Sequence, residues 1–207
     1  ELCKKALEIN PNLGDVNFLV GLCYLYYGLY DAAIQYLTKA MELDPYNFWT
    51  PYKLAMCYTY SGDFEKADFY FKKYFELAPV EPLVFPGRNI ALQIMMKRYD
   101  HADELVRRGE KTTPAVDWVR KHRALLFAVK GEKEKALALY KNSEVCALLG
   151  MKDEAFQELD KEIRGSVFSP HIYYQNLLHN PFYDNLRGDP RFQKLVEREK
   201  KLYDEAT

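Results

Sequence analysis

The sequence is short of the residues on which most catalytic and metal sites are built. Its four cysteines, Cys3, Cys23, Cys57 and Cys146, are too sparse for a disulfide framework and lack the C-x-x-C spacing that brings two thiolates onto one zinc ion. Free thiols in a reducing cytoplasm are the default, and a periplasmic setting stays open if a leader precedes Glu1. Four histidines, His101, His122, His171 and His179, form no H-E-x-x-H pair that would set two imidazoles on one helical face, so no metal or cofactor is expected. The four serines, Ser61, Ser143, Ser166 and Ser169, stand in no G-x-S-x-G elbow. The stretch 109–113 has a superficial P-loop look, yet lacks the earlier glycine and the preceding strand, and reads as a helix end. With no nucleophile, base and orienting group to name together, the chain is expected not to be an enzyme.

One-sided charge and long apolar runs are also missing. Thirty acids against 29 bases leave a net charge of −1, which provides no overall field for nucleic acid or an anionic membrane. Arg107, Arg108, Lys111, Arg120, Lys121 and Arg123 suggest a basic ridge, but Asp103, Glu110 and Asp117 interrupt it, so nucleic-acid binding is not expected. The longest uncharged run, 16–30, has 15 residues where a membrane span needs about 20, and no membrane-crossing helix is expected. The chain opens on Glu1 rather than Met, with Leu2, Ala6 and Leu7 already in a helical pattern, so we expect it to begin inside a longer polypeptide.

What is abundant is apolar and aromatic: 48% of the residues are hydrophobic, and 11 of the 17 tyrosines lie in the first 81 positions. That portion holds 11 acids and 7 bases, so an acidic aromatic front precedes a mildly basic remainder.

Shifting the sequence on itself by 34 residues aligns Gly21 with Ala55, Tyr24 with Tyr58, Gly28 with Gly62, Ala33 with Ala67, Leu37 with Phe71 and Pro45 with Pro79. A fixed period in this range marks stacked units, each burying its apolar face on its neighbours. Within a unit, a first helix over 15–27 ends at Gly28, Asp31 is placed to cap a second helix reaching Leu43, and Pro45 stops the chain. Small residues at 21 and 33 let the two helices cross closely, with Val20, Tyr24 and Leu37 supplying the bulk. Tyr99, Ala102 and Pro114 follow at 35, the added residue being expected in 82–87. Gly131, Ala136 and Tyr140 mark a fifth unit, and Gly150 recurs after only 19 residues, where two helices are expected to be shortened or merged. After 166–188, rich in Pro and aromatics, Asp189 and Pro190 read as N-cap and first residue of a last helix whose stripe is Phe192, Leu195, Val196, Leu202 and Tyr203.

Gly21, Tyr24, Gly28, Ala33, Ala40 and Pro45 in 14–47 resemble the signature of the tetratricopeptide repeat, departing from it at Asn17, where the family usually has a large apolar residue. The resemblance implies an all-α, right-handed α-solenoid of stacked antiparallel helix pairs with a concave groove. On this reading 1–165 is the array, divided as a half repeat at 1–13 and units at 14–47, 48–81, 82–116, 117–141 and 142–165, and 166–207 is a C-terminal capping segment. It also implies a protein or peptide partner. The run 186–195 further resembles the ending of bacterial regulatory proteins of this repeat class, which implies the alternative of a regulatory or ligand-sensing segment of a larger signalling or transcription protein.

At about 100° per residue, Val20, Gly21 and Tyr24 fall on one side of the first helix, and Asp15, Phe18, Leu22, Leu25 and Tyr26 on the other. The next unit sets Leu54, Ala55 and Tyr58 opposite Trp49, Tyr52, Met56, Thr59 and Tyr60. Phe18, Leu22, Tyr26, Trp49, Tyr52, Met56 and Tyr60 are thus the candidate partner-binding groove, aromatic and Met side chains giving large, adaptable contact area. The same residues also suit a second reading, in which neighbouring first helices touch and the tail around 173–183 fills the groove from within. A carboxylate clamp like that of chaperone-binding relatives would need Lys and Asn on this face; Phe18, Leu22, Tyr52 and Met56 stand there instead.

Overall fold

The computed structural model describes residues 5, 7, 8, 10–78, 86–112, 116–165 and 171–205; the expected insertion over 82–87 and the proline columns at 79 and 114 fall largely outside them. Among the described residues the secondary structure is helical, without strands. Helix pairs follow one another: α1 (Gly14–Tyr26) with α2 (Tyr30–Leu43), α3 (Trp49–Ser61) with α4 (Phe64–Leu77), α5 (Pro86–Met95) with α6 (Tyr99–Thr112), α7 (Asp117–Val129) with α8 (Lys133–Leu139), and α9 (Ser143–Leu148) with α10 (Lys152–Arg164). The tail forms α11 (His171–His179), a 3-10 turn (Pro181–Leu186) and α12 (Pro190–Asp204). The architecture is that of stacked antiparallel helix pairs, as the period requires. It divides into two compact units, the first comprising Glu1–Pro82, Phe168–His179 and Lys200–Thr207, the second Leu83–Val167 and Asn180–Glu199.

In unit 1 the helix crossings are made by the small residues of the repeat. A Cβ on Gly21 would lie 2.6 Å from Leu37 Cγ and 3.2 Å from its backbone nitrogen, so α1 and α2 approach at a distance only glycine permits. Gly21→Ala gains about 1 kcal/mol of helix propensity. Overpacking costs about 1–3 kcal/mol; because Leu37 is fully buried, we expect net destabilisation of about 1–2 kcal/mol by urea denaturation. The counterpart crossing uses Ala55 and Ala67, both fully buried. Each pair carries the same aromatic clasp: Tyr24 stacks on Tyr36 at 5.5 Å, and Tyr58 on Tyr70 at 5.4 Å. Cys57 sits within α3, fully buried, and burial pushes its thiol up to about 12.

Helix ends show one departure from the sequence reading. Asp31 lies in the first turn of α2, where it meets the helix dipole, while the N-cap is Leu29, with no side-chain cap. Its counterpart position differs in the next pair, where Asp63 does cap, accepting from the Lys66 backbone N–H at 3.2 Å. Asn17, the departure from the family signature, is buried and donates through Nδ2 to the carbonyls of Pro11 and Leu13, both at 2.9 Å, tying the preceding loop to α1. Gly62 follows α3 at φ +84°, a conformation that disfavours any side chain, and a Cβ there would also meet His179 Nδ1 at 2.9 Å.

In unit 2 the 19-residue recurrence has a plain cause: α8 has seven residues and α9 six, so the helices are shortened rather than merged. The short α9 is held by polar ties. Ser143 Oγ–H donates to Glu162 Oε2 at 2.6 Å while the Tyr183 hydroxyl, 2.9 Å away, donates to Ser143 Oγ. Asn180 Nδ2 donates to Glu144 Oε1 at 3.1 Å, and Lys121 pairs with Glu144 at 2.7 Å. At α12, Asp189 accepts from the Arg191 backbone N–H at 3.0 Å, as an N-cap should, and Phe192 is buried, although Leu202 of the expected stripe is exposed.

Candidate functional site

The candidate face belongs to unit 1 and is carried by α1 and α3. Asn47 Oδ1 accepts from the Trp49 backbone N–H at 3.0 Å to start α3, and Pro51 falls in the first turn, where its missing N–H has no intrahelical partner to lose. The α1 and α3 faces then differ in exposure.

On α1, Phe18 and Leu22 are half-buried and Tyr26 is 41% exposed. Leu19, at 57%, and Tyr27 widen this open apolar surface, while Leu25 of the same sequence-defined side is buried. Lys53 reaches over from α3, its ammonium 3.5 Å from the Tyr26 hydroxyl and 5.7 and 5.4 Å from the Tyr26 and Tyr52 ring centroids, a cation–π bridge between the two helices.

On α3 the candidate residues are largely covered. Tyr52, at 3% exposure, packs edge-on against Phe71 at 5.9 Å and lies 5.2 Å from Tyr74, so α4 supplies its contacts. Trp49 is half-buried, 5.9 Å from Tyr52 and 6.4 Å from Tyr74. Tyr60 stacks on Tyr30 of α2 at 5.4 Å, and Met56 is 6% exposed. The structure thus brings Trp49 and Tyr52 together as one aromatic cluster and leaves Phe18, Leu22 and Tyr26 as the open part. For Tyr52 these are the contacts of the packing reading.

Two features went unread in the sequence. One is which helix receives α11: the second reading of the sequence had the tail around 173–183 filling the groove, and α11 packs on α3 with Leu177 fully buried, but nothing in the spacing of a Pro-punctuated tail singles out α3. The other is Glu144, which joins the carboxylates the sequence already set within the basic ridge. Arg107 pairs with Asp103 at 2.8 Å, Arg120 with Asp117 at 3.6 Å, Lys121 with Glu144, and Arg123 with Glu110 at 2.8 Å and with Asp103.

Among the described residues no group of three or more His, Cys, Asp or Glu side chains is arranged to hold a metal ion, and no helix is long and apolar enough to cross a membrane.

Residues 24–84 match the family model of the tetratricopeptide repeat. Residues 24–84 therefore carry tetratricopeptide repeats, and most of the candidate face lies within them. Among solved structures, it is similar to YrrB, described as a TPR protein with an unusual peptide-binding site, at a TM-score of 0.55 and 13% identity over 100% of this chain and 97% of the other. A chain of the APC/C hetero-tetramer Cut9–Hcn1 matches at 0.59 and 15%, covering 96% of this chain and 45% of its own length. At these identities the likeness is one of fold. No curated protein matches the chain.

Proposed function

We propose that the chain is a non-catalytic protein-interaction scaffold whose unit 1 takes an apolar helix or peptide of a partner along the α1 and α3 face. The observation that supports this reading most is a contrast between two helices: α3 already receives a helix, α11, while α1 presents Phe18, Leu22, Leu19 and Tyr26, with Asp15 and Lys53 as charged neighbours. A contiguous open apolar face rimmed by polar groups is the usual mark of a protein-binding surface. The peptide-binding description attached to YrrB is consistent with this use of the fold.

The test is a double substitution, Phe18→Lys with Leu22→Lys. A partner purified with the wild-type chain should bind this variant at least tenfold more weakly, a loss of about 1.4 kcal/mol or more, with the melting temperature unchanged. Phe69→Lys, at an exposed position of α4, should leave binding intact. Loss of folding in the double variant would instead assign both side chains to packing, and unchanged binding would remove them from the site.

A further inference from the structure

The covered part of the face identifies what kind of occupant it accepts. α3 has α4 on one side and α2 on another, and the tail helix α11 also packs against it. His179 closes the end of this contact, its ring standing over Gly62 immediately beyond α3. Inside the contact Leu177 is fully buried, whereas Tyr173, Tyr174 and Leu178 remain half-buried, so one side chain anchors the helix and the others lean on the surface. Tyr174 is steadied by Tyr203 at 5.2 Å. The segment His171–His179 contains no Asp, Glu, Lys or Arg, and it is nine residues long, too short to be a stable helix by itself in water. It is helical because it is seated.

We propose that α11 is a built-in occupant of the α3 side of the binding face, and that the partner is a neutral helix with the same chemistry, an aromatic residue followed by Leu four positions on, which displaces it. This rests on the reading of the face given above and adds its regulation: a tethered segment competes at an effective concentration of order millimolar. The apparent affinity for the partner helix is then reduced by the fraction of molecules in which the seat is open, about 100-fold for an open fraction of about 1%. The α1 side, which α11 leaves uncovered, is where an incoming helix makes its first contacts before α11 leaves.

The experiment compares the full-length chain with its Leu177→Asp variant, using as probe a fluorescent, helix-stapled synthetic peptide copying residues 171–179. A carboxylate in the seat should release α11, so the variant is expected to bind the peptide at least tenfold more tightly than the wild type while keeping its far-ultraviolet helix signal. Equal affinity for both proteins would overturn the displacement proposal and leave the binding face standing, and absence of binding to either would overturn both. Should Leu177→Asp lose its helix signal, hydrogen exchange on the wild-type chain decides instead. Amides of 173–179 are expected to exchange at least tenfold faster than those of 52–58, because α11 opens while α3 stays folded; exchange of the two segments at one common rate would show that α11 is an inseparable part of the core.

Discussion

Phe71→Ala is expected to lower the unfolding free energy by about 3–5 kcal/mol. Phe71 is 1% exposed and sits on α4 against Tyr52, at the place Leu37 occupies one repeat earlier. Truncation removes the ring's transfer energy and leaves a void. The neighbours that would have to close it, Tyr52, Tyr74 and the α3 backbone at Ala55, are themselves fixed by stacking and by the close helix crossing, so little relaxation is available. In a repeat protein each hairpin is stabilised by its immediate neighbours, and the loss falls on the pair that carries the candidate face. Trp49, 6.4 Å from Tyr74, reports it: the urea midpoint followed by Trp49 fluorescence should fall well below that of the wild type. A change under 1 kcal/mol would mean that Tyr52 and Tyr74 collapse into the gap.

The second large effect is a dependence on acid. His122, on α7, is 6% exposed and directs Nδ1–H to the Trp118 carbonyl at 2.6 Å. Burial, with Lys121 and Arg88 as positive neighbours, holds its pKa down to about 4 against the opposing pull of that hydrogen bond and of Glu144. The unfolded chain therefore takes up this proton first. Stability is full above the ordinary value near 6.5 and falls as pH drops toward 4, by about 3 kcal/mol in all. Two carboxylates act on the same region in opposite senses. Glu144, its charged form held by Lys121 and Asn180 despite burial, has a lowered pKa and adds to the loss as pH falls through its folded value. Glu162 is pushed up by burial, so its contribution is present at low pH and is lost as pH rises. His122→Gln keeps a donor for the Trp118 carbonyl and removes only the imidazole. Between pH 7 and 4 the wild type should lose about 3 kcal/mol more than the variant. Far-ultraviolet ellipticity is the suitable probe, since the Trp118 ring lies 6.4 Å from His122 and its emission responds to the imidazole charge.

The helix pairs were readable because their determinants are local and recur. Gly21 against Leu37, the tyrosine clasps and the left-handed Gly62 all follow from a pattern of 34 residues, and each has a steric reason to be where it is. The candidate face was readable only as a direction on each helix. Helical phase placed Tyr52 and Tyr26 on the same side, but how deeply each is covered depends on long-range neighbours: Phe71 and Tyr74 for the first, Lys53 for the second. Likewise the ridge of cations from Arg107 to Arg123 looked like a surface feature in one dimension, and the carboxylates that absorb it, Glu110 and Glu144, arrive from other helices.

The buried thiol of Cys57 makes α3 its own chemical clock. A thiol raised to about 12 is almost wholly protonated at neutral pH, and its full burial denies an alkylating reagent any approach. Modification must then wait for the helix to part from its neighbours, so the labelling rate counts those openings one molecule at a time. Any ligand that closes over α3 slows that clock, and its occupancy can be followed by mass without knowing what the ligand is.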